Sequence, residues 1–502
     1  MNDSLSTAQP FSAAEHLYTA EQIRVLDSCA INEHGIAGTT LMSRAAAATL
    51  AHLLQRWPDA ASLQVFCGKG NNGGDGYLIA DQAHKRGIDV VAYQVGDASG
   101  IAGDALAARN QALANGVKVE GYAGQVHAEG VIVDAMLGIG LSGDVRPDYA
   151  AAIGDVNHAG LPVVAVDIPS GLCADSGMIL GSAVRADLTV TYIGLKRGLF
   201  AARAPDCVGE LELSDLAVPQ EVYRAVDGAC YRLELDALLE SVEPRAANAH
   251  KGLYGNILVV GGDYTMAGAV VLAAEAALRC GAGLVRVATR AEHIAALIAR
   301  TPEAMPIAVE EGDALLALAA SADVLVVGPG LGQSSWAESL LQAALSLDKP
   351  MVLDADALNL LAASSGLSKL PRTNWVLTPH PAEAARLLGI ETRDVQADRF
   401  QAVEALQQRY GGVVVLKGNG SLIADGAAVL LSDYGNPGMA SGGMGDVLSG
   451  VVGALLGQKL SPTASAALGV CLHGAAADVA AADGERGLLA SDLMAPMRAL
   501  LG

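Results

Sequence analysis

The sequence predicts an α/β protein of two domains, and three observations predict it. Its 502 residues exceed the ~100–200 of one typical domain. Hydrophobic residues make up 52% of the chain but aromatics only 4%, and small aliphatic residues suit helices packed closely on parallel sheets. Short apolar runs alternate with helical segments in two series, separated by a stretch where the rhythm fades.

Residues 1–18 read as a flexible lead-in. Thr19-x-x-Gln22 fits a capping box that opens a helix through Ser28. LQVFC (63–67) is apolar, as in a buried parallel strand. A glycine loop follows, then a helix from Tyr77 to Arg86 that Gly87 stops. DVVAYQV (89–95), VIVD (131–134), PVVAVD (162–167) and LTVTYI (188–193) continue the βαβ rhythm of a parallel sheet with right-handed crossovers. Between Leu213 and Lys251 the rhythm weakens. A linker is expected near 225–245, dividing the chain into domains over 15–228 and 236–502. The second series runs NILVV (256–260), LVRVA (284–288), DVLVV (323–327), MVLD (351–354), WVLT (375–378) and VVVLK (413–417). Ala-rich helices close the chain from about Asp446. The halves share a rhythm but no repeat of fixed period.

With 54 acidic and 32 basic residues the net charge is −22. Such a surface repels phosphate backbones and acidic membranes, so no nucleic acid and no membrane is expected as partner. Nucleotides remain open to it, because loops and helix N-termini hold phosphates locally. The seven cysteines are odd in number and form no C-x-x-C pair, which argues against a disulfide framework and a zinc site and for free thiols in a reducing compartment. The N-terminal stretch has neither basic nor apolar region of a signal peptide, and no apolar run approaches the ~18 residues of a membrane span. A cytoplasmic protein is expected, and a homo-oligomer, as is common among such enzymes.

The first candidate site follows the first strand of the series. CGKGNNGGDG (67–76) satisfies G-x-G-x-x-G at Gly68, Gly70 and Gly73, a pattern that taken alone is the dinucleotide fingerprint. Asn71, Asn72, Gly74 and Asp75 add more than that fingerprint needs; a plain tight turn needs only one or two glycines. Asp134 ends a strand before a second glycine loop, and Asp167 ends another before Ser170. Ligands bind outside the carboxyl ends of parallel strands, so the three loops should share a crevice. Oxygens of Asn72, Asp134 and Ser170 suit a small cation, and Asp167 is left to exchange a proton with a substrate.

The second site gathers HKGLYGNILVVGG (250–262), VVGPGLG (326–332), LDADALN (353–359), LTPHPAE (377–383), VLKGNGS (415–421) and NPGMASGGMGDVLSG (436–450). In the last, Gly442, Gly443 and Gly445 precede Asp446 at the start of an apolar helix. Amides there make an anion hole for a transferring phosphoryl group, and Asp446 can take a proton from a hydroxyl. The alternative is a glycine-rich helix cap, which leaves VLKGNGS and TPHP unexplained. His380, between two prolines at a strand end, suits a substrate contact better than proton transfer, while His250 and His473 are expected to be solvated or locally bonded.

GNNGGDG, DAMLGIG and DIPSG resemble the N-terminal domain of the YjeF family, the NAD(P)H-hydrate epimerases, over roughly 15–225. The resemblance implies a Rossmann-like three-layer sandwich with potassium at Asn72, Asp134 and Ser170. It implies hydrate contacts from Asn71, Asn72, Gly73, Gly74 and Asp75, from Gly138, Ile139, Gly140, Leu141, Ser142, Gly143 and Asp144, and from Tyr149 and Asp167. HKGLYGN, GPGLG, LTPHP and GNPGMASGGMGDVLSG resemble the NAD(P)H-hydrate dehydratases of the ribokinase-like superfamily over roughly 240–502. That implies hydrate contacts from Ala267, Gly330, Gly332, His380 and Asp446. It implies an adenine-nucleotide site at Lys417, Gly418, Asn419, Gly420, Ser421 and Gly445. Ala382 and Met444 depart from the family pattern, which has Gly and Thr or Ser there. The two resemblances imply one substrate, the hydrates NADHX and NADPHX. The first domain would interconvert their R and S epimers. The second would dehydrate the S epimer with ADP, giving AMP and phosphate, with magnesium bridging the phosphates. The rival is a small-molecule kinase acting on a vitamin-like alcohol. A nicotinamide-dependent dehydrogenase leaves residues 240–502 without use, and a non-enzymatic scaffold predicts no turnover.

Overall fold

Thr19 caps the first helix as its sequence requires. Its Oγ1 accepts from the Gln22 amide at 3.1 Å and its own amide donates to Gln22 Oε1 at 2.9 Å. The computed structural model describes residues 15–240, 242–364 and 371–502 and divides into two units, His16–Gly228 and Ala229–Gly502.

The first unit contains β1 (Glu15–Tyr18), α1 (Ala20–Asn32), α2 (Gly38–Arg56), β2 (Ser62–Cys67), α3 (Asn71–Lys85), β3 (Asp89–Gln94) and α4 (Gly103–Ala114). It continues with β4 (Lys118–Gly121), β5 (Val131–Ala135), α5 (Pro147–His158), β6 (Val163–Val166), β7 (Leu188–Tyr192), β8 (Leu195–Lys196) and β9 (Glu210–Ser214). Seven strands form one parallel sheet in the order β4-β3-β2-β5-β6-β7-β9. One face packs Ile79, Leu50 and Val65 with α1 to α4, and the other packs Phe66, Tyr93 and Tyr149 with α5, giving three layers. The chain runs outward through β3 and β4, then returns to β5 on the other side of β2.

The second unit starts with β10 (Cys230–Arg232), α6 (Leu235–Leu239), β11 (Asn256–Val260), α7 (Ala267–Arg279), β12 (Leu284–Thr289), α8 (Ile294–Arg300), β13 (Met305–Ala308) and α9 (Gly312–Ala319). Next come β14 (Val324–Val327), α10 (Ser335–Leu345), β15 (Met351–Leu353), α11 (Ala355–Ala363), β16 (Trp375–Leu377), α12 (Pro381–Leu388), α13 (Thr392–Ala397) and α14 (Arg399–Tyr410). It ends with β17 (Val413–Leu416), β18 (Ser421–Ala424), β19 (Val429–Ser432), α15 (Met444–Gly457), α16 (Pro462–Ala480) and α17 (Met494–Leu501). Its strand order is β13-β12-β11-β14-β15-β16-β17-β18-β19-β10. Only β18 runs antiparallel to its neighbours. Here too the chain leaves β11 through β12 and β13 and returns to β14 on the other side.

Several expectations change. Residues 1–14 of the expected lead-in lie outside the described residues, and 15–18 form β1. The first helix runs to Asn32 instead of ending at Ser28. The expected linker at 225–245 holds β10, which pairs with β19 some 200 residues away; local rhythm carries no sign of such a partner. Strands β4, β9, β13, β18 and β19 were not foreseen. Those at the edges are half exposed and lack the apolar run of a central strand. Of the seven free cysteines, all but Cys173 are buried. Among the described residues one helix, Pro462–Asp483, is long and apolar enough to cross a membrane, and 72% of its apolar window is buried inside the protein.

Helix α15 crosses α7 so closely that a Cβ on Gly450 would lie 2.1 Å from the Ala273 carbonyl oxygen. Gly450→Ala is therefore expected to destabilise the second unit by about 1–3 kcal/mol through overpacking. The shift of its urea midpoint measures this, and an unshifted midpoint contradicts the tight crossing.

Candidate active sites

The first site forms where the strand order reverses, between β2 and β5. The Gly68 amide donates to Ala135 O at 3.0 Å, and a Cβ on Gly68 would lie 1.8 Å from Met136 O. Helix α3 starts at Asn71, not at Tyr77 as expected. Its glycines let the helix sit down: a Cβ would lie 2.0 Å from Gly68 O at Gly73, 2.7 Å from Met42 Cε at Gly74 and 2.6 Å from Ala135 Cβ at Gly76. Part of the glycine density thus serves helix docking, which a sequence pattern cannot separate from ligand binding.

The three proposed cation ligands converge beside the turn after β5. Asp134 is fully buried. It accepts from Ser170 Oγ at 2.6 Å, the Ser170 amide at 2.8 Å and the Met136 amide at 3.2 Å. Burial pushes its carboxyl up to about 6, against the Ser170 hydrogen bonds. Ser170 Oγ in turn accepts from the Leu137 amide at 2.8 Å. Asn72 is buried with both Oδ1 and Nδ2 unpaired, and packs against Gly138.

Above this turn opens a cavity of about 750 Å³. Of the expected contacts, Asn71, Asn72, Asp75, Gly138 to Ser142, Asp144, Tyr149 and Asp167 line it; Gly73, Gly74 and Gly143 do not. Asp167 follows β6 at φ +67°, outside the ordinary region for a non-glycine residue. It is ion-paired with the fully buried Lys196 and accepts from the Tyr192 amide at 3.2 Å. Lys196 is fixed by Thr191 Oγ1 and Tyr192 O, both at 2.9 Å. The sequence reading missed Lys196, since only the β7–β8 turn brings it under Asp167. Asp75 is pushed well up by burial and by the neighbouring Asp167 and Asp27.

The second site lies at the matching reversal. Amides of Gly262 and Asp263 donate to Pro329 O and Gly330 O at 3.0 and 2.7 Å, joining the loops after β11 and β14. Gly330 and Gly332 take φ of +55° and +73°. Ala267 opens α7 beside them. Asp356 accepts from the Gly332 amide at 2.9 Å.

His380 caps α12. Its Nδ1 accepts from the Ala382 and Glu383 amides at 3.1 and 3.4 Å, and the His380 amide donates to Glu383 Oε2 at 2.8 Å. Its Nε2 lies 3.3 Å from Glu383 Oε1. Burial, with the Lys417 and Arg386 charges, holds the imidazole below its ordinary value.

Beneath the glycine turn lies a buried carboxylate the sequence reading did not assign. Asp354 Oδ1 pairs with Lys417 Nζ at 2.6 Å, and its Oδ2 accepts from Ser449 Oγ at 2.8 Å. A Cβ on Gly445 would lie 3.1 Å from Lys417 Nζ, so the turn rests on this pair. Burial pulls the Lys417 ammonium down, but Asp354 and Glu383 outweigh it and hold the group above its ordinary value. Gly443 starts α15 at φ +93° with no side-chain cap, leaving the first amides open. The Met444 side chain turns into the core. Asp446, in the first turn, is pushed up to about 7 by burial and by Asp354, with Lys417 opposing. The Lys417–Ser421 segment is the hairpin between β17 and β18, with the buried Arg399 donating to Leu416 O at 3.1 Å and to Asn419 O. His473 is buried with its Nε2 unpaired and its pKa lowered to about 4 by burial; the expectation of a solvated or locally bonded ring does not hold for that nitrogen, because α16 is a core helix.

A Rossmann-like three-layer sandwich with a polar crevice, followed by a ribokinase-like domain with a glycine-lined helix start, defines a two-domain enzyme acting on small molecules. The profile described as YjeF-related protein N-terminus matches residues 38–198, and that described as NAD(P)H-hydrate dehydratase matches residues 257–498. The Bifunctional NAD(P)H-hydrate repair enzyme Nnr of Coxiella burnetii is 49% identical over 97% of this chain and 99% of its own length. Its Escherichia coli namesake is 42% identical over 100% and 97%. A ribokinase-like superfamily protein of Enterococcus faecalis V583 superposes with a TM-score of 0.51 at 29% identity, covering 54% of this chain and 95% of that one. The chain belongs to the bifunctional NAD(P)H-hydrate repair enzymes.

Lys417→Met leaves Asp354 buried without its cation and is expected to cost about 3–5 kcal/mol. Adding Asp354→Asn should recover part of that loss. Urea unfolding of the four-member cycle reads the coupling; additive losses would show that the pair is not the support of the turn.

Proposed function

We propose that the unit over 15–228 interconverts R- and S-NAD(P)HX in its 750 Å³ cavity, with Asp167 as acid/base. The unit over 236–502 then dehydrates the S epimer with ADP. The observation that carries the second reading is the uncapped start of α15 with Asp446, held near neutrality by burial, in its first turn.

Hydroxide is a poor leaving group, so water cannot simply be expelled from the ring. Asp446 takes the proton of the C6 hydroxyl as that oxygen attacks the terminal phosphorus of ADP. The open amides of the 443–446 turn stabilise the charge on the migrating phosphoryl group, and AMP departs. The ring nitrogen then expels phosphate, and loss of a C5 proton restores NAD(P)H. Lys417 and the hairpin through Gly418, Asn419, Gly420 and Ser421, with Gly445, hold the nucleotide. Ala267, Gly330, Gly332 and His380 orient the hydrate.

Two ions belong to this reading. Potassium fits the first unit: Asn72 Oδ1 is buried without a partner where its side chain packs on Gly138, and the oxygens of Asp134, Ser170 and Leu137 meet at the residue before. Bound there, it would neutralise Asp134 and fix the 136–144 loop against the substrate. Magnesium would enter the second unit on the ADP phosphates and offset their charge, within reach of the Asp446, Asp356 and Glu383 carboxylates, which act on one another. A cytoplasmic, homo-oligomeric enzyme completes the reading, in keeping with an acidic surface and free thiols.

Asp446→Ala is expected to lower kcat for ADP-dependent dehydration of S-NADHX by about 10²–10⁴-fold. Because the ionised carboxylate is the base, kcat/KM should fall as pH drops through about 7. Near-normal turnover by the variant, measured as recovery of NADH absorbance, sinks the phosphoryl-transfer account.

Exchanging potassium for a large organic cation is expected to slow epimerisation and lower the melting temperature of the first unit, while leaving dehydration intact. Unchanged epimer interconversion in potassium-free buffer removes the cation from the site.

A further inference from the structure

The epimerase cavity holds an ionisable group to which nothing above gives a task. Asp27, on α1, lines the cavity together with Asp75, Asp167 and Lys196. The two outer carboxyls differ in their surroundings. Asp167 is ion-paired with the Lys196 ammonium and accepts from the Tyr192 amide. Asp27 is half-buried and lines the same cavity within reach of the charges of Asp167, Asp75 and Lys196, with Arg24 on its own helix and Asp104 at the start of α4 also lining it. A reaction that takes a proton from one atom and supplies one to another is served by two carboxyls held in one cavity with different partners.

We propose that Asp27 is the proton donor that works with Asp167 in epimerisation. This rests on the epimerase reading of the cavity. The C6 hydroxyl gives its proton to the Asp167 carboxylate as the C6–N1 bond breaks and the C6 oxygen becomes a carbonyl. N1 keeps the bonding pair and takes the proton of Asp27. Rotation about C5–C6 presents the other carbonyl face. N1 attacks it and returns its proton to the Asp27 carboxylate, while the oxygen recovers the proton held on Asp167. Atoms and charge balance without water or oxidant, and only the configuration at C6 changes.

Burial, with the Asp167 charge, raises the Asp27 carboxyl to about 6, against the pull of Lys196. A group so placed both gives and regains a proton near neutrality. Asp75 is pushed well above its ordinary value by burial and by the charges of Asp167 and Asp27.

The test uses the full chain and R-NADHX without ADP, so that only epimerisation is read, by chromatographic separation of the epimers in H₂¹⁸O. Asp27→Asn and Asp27→Ala are each expected to lower kcat at least about a hundredfold with KM within about threefold. Asp27→Glu should recover part of kcat, and the S product should keep its original oxygen. Wild-type kcat in either folded variant, a loss confined to KM, or solvent oxygen in the product overturns the proposal. If the unaltered chain itself does not speed interconversion, the epimerase reading falls, and that outcome is distinct from the first three.

Discussion

Both halves depend on one backbone contact that tolerates no side chain. In each, the turn after the first central strand lies directly against the turn after the strand that re-enters on its other side. A Cβ on Gly68 would lie 1.8 Å from Met136 O, and one on Gly261 would lie 2.0 Å from Pro329 O. The contact brings two loops from opposite sides of a strand-order reversal to one point. It therefore sets where the crevice is and which residues face it. Asn72 reaches Gly138 because α3 is pulled down onto the sheet, and Asp263 meets the Gly330 loop through the same kind of join.

What each crevice then does follows from how its carboxylates are held. In the first, Asp167 is fixed by a buried lysine, and the backbone is bent into a positive φ to present it. In the second, the lysine is committed elsewhere. Lys417 pairs with Asp354 below the turn, so Asp446 above it keeps a raised carboxyl. Ser449 ties Asp354 to the same helix that carries Asp446 and also lies 3.1 Å from Gly445 O. The ion pair thus supports the turn and acts on the Asp446 carboxyl at once.

The central strands were legible because they are buried on both faces and read as apolar runs. The loops at their carboxyl ends were legible because glycines and polar residues mark them. Lys196, Asp354 and Asp27 were not singled out. Each takes its place from contacts across the sheet or between layers, and an ordinary Lys or Asp in a local window gives no sign of that. Strand β10 is hidden for the same reason, since its partner β19 lies about 200 residues away in sequence. The glycines after β2 show the opposite difficulty: a real signal with two causes, in which Gly73, Gly74 and Gly76 answer to packing and Asn71, Asn72 and Asp75 face the cavity.

The charge balance of the second crevice bears on its cofactor. Asp354, Asp356, Glu383 and Asp446 stand around a single ammonium, Lys417, and burial and mutual repulsion push up both Glu383 and Asp446. A diphosphate entering such a place adds further negative charge, and the open helix amides supply only partial positive charge. The other buried cation there, Arg399, is engaged with the Leu416 and Asn419 carbonyl oxygens beneath the hairpin, and Arg386 is exposed. The nucleotide must therefore bring compensating charge with it, so a divalent ion travelling on the phosphates is the economical solution. The same reasoning separates the two crevices under the proposed function: a proton exchange in the first brings no net charge into the cavity, whereas the second would have to admit a polyanion and let a phosphoryl group cross between partners.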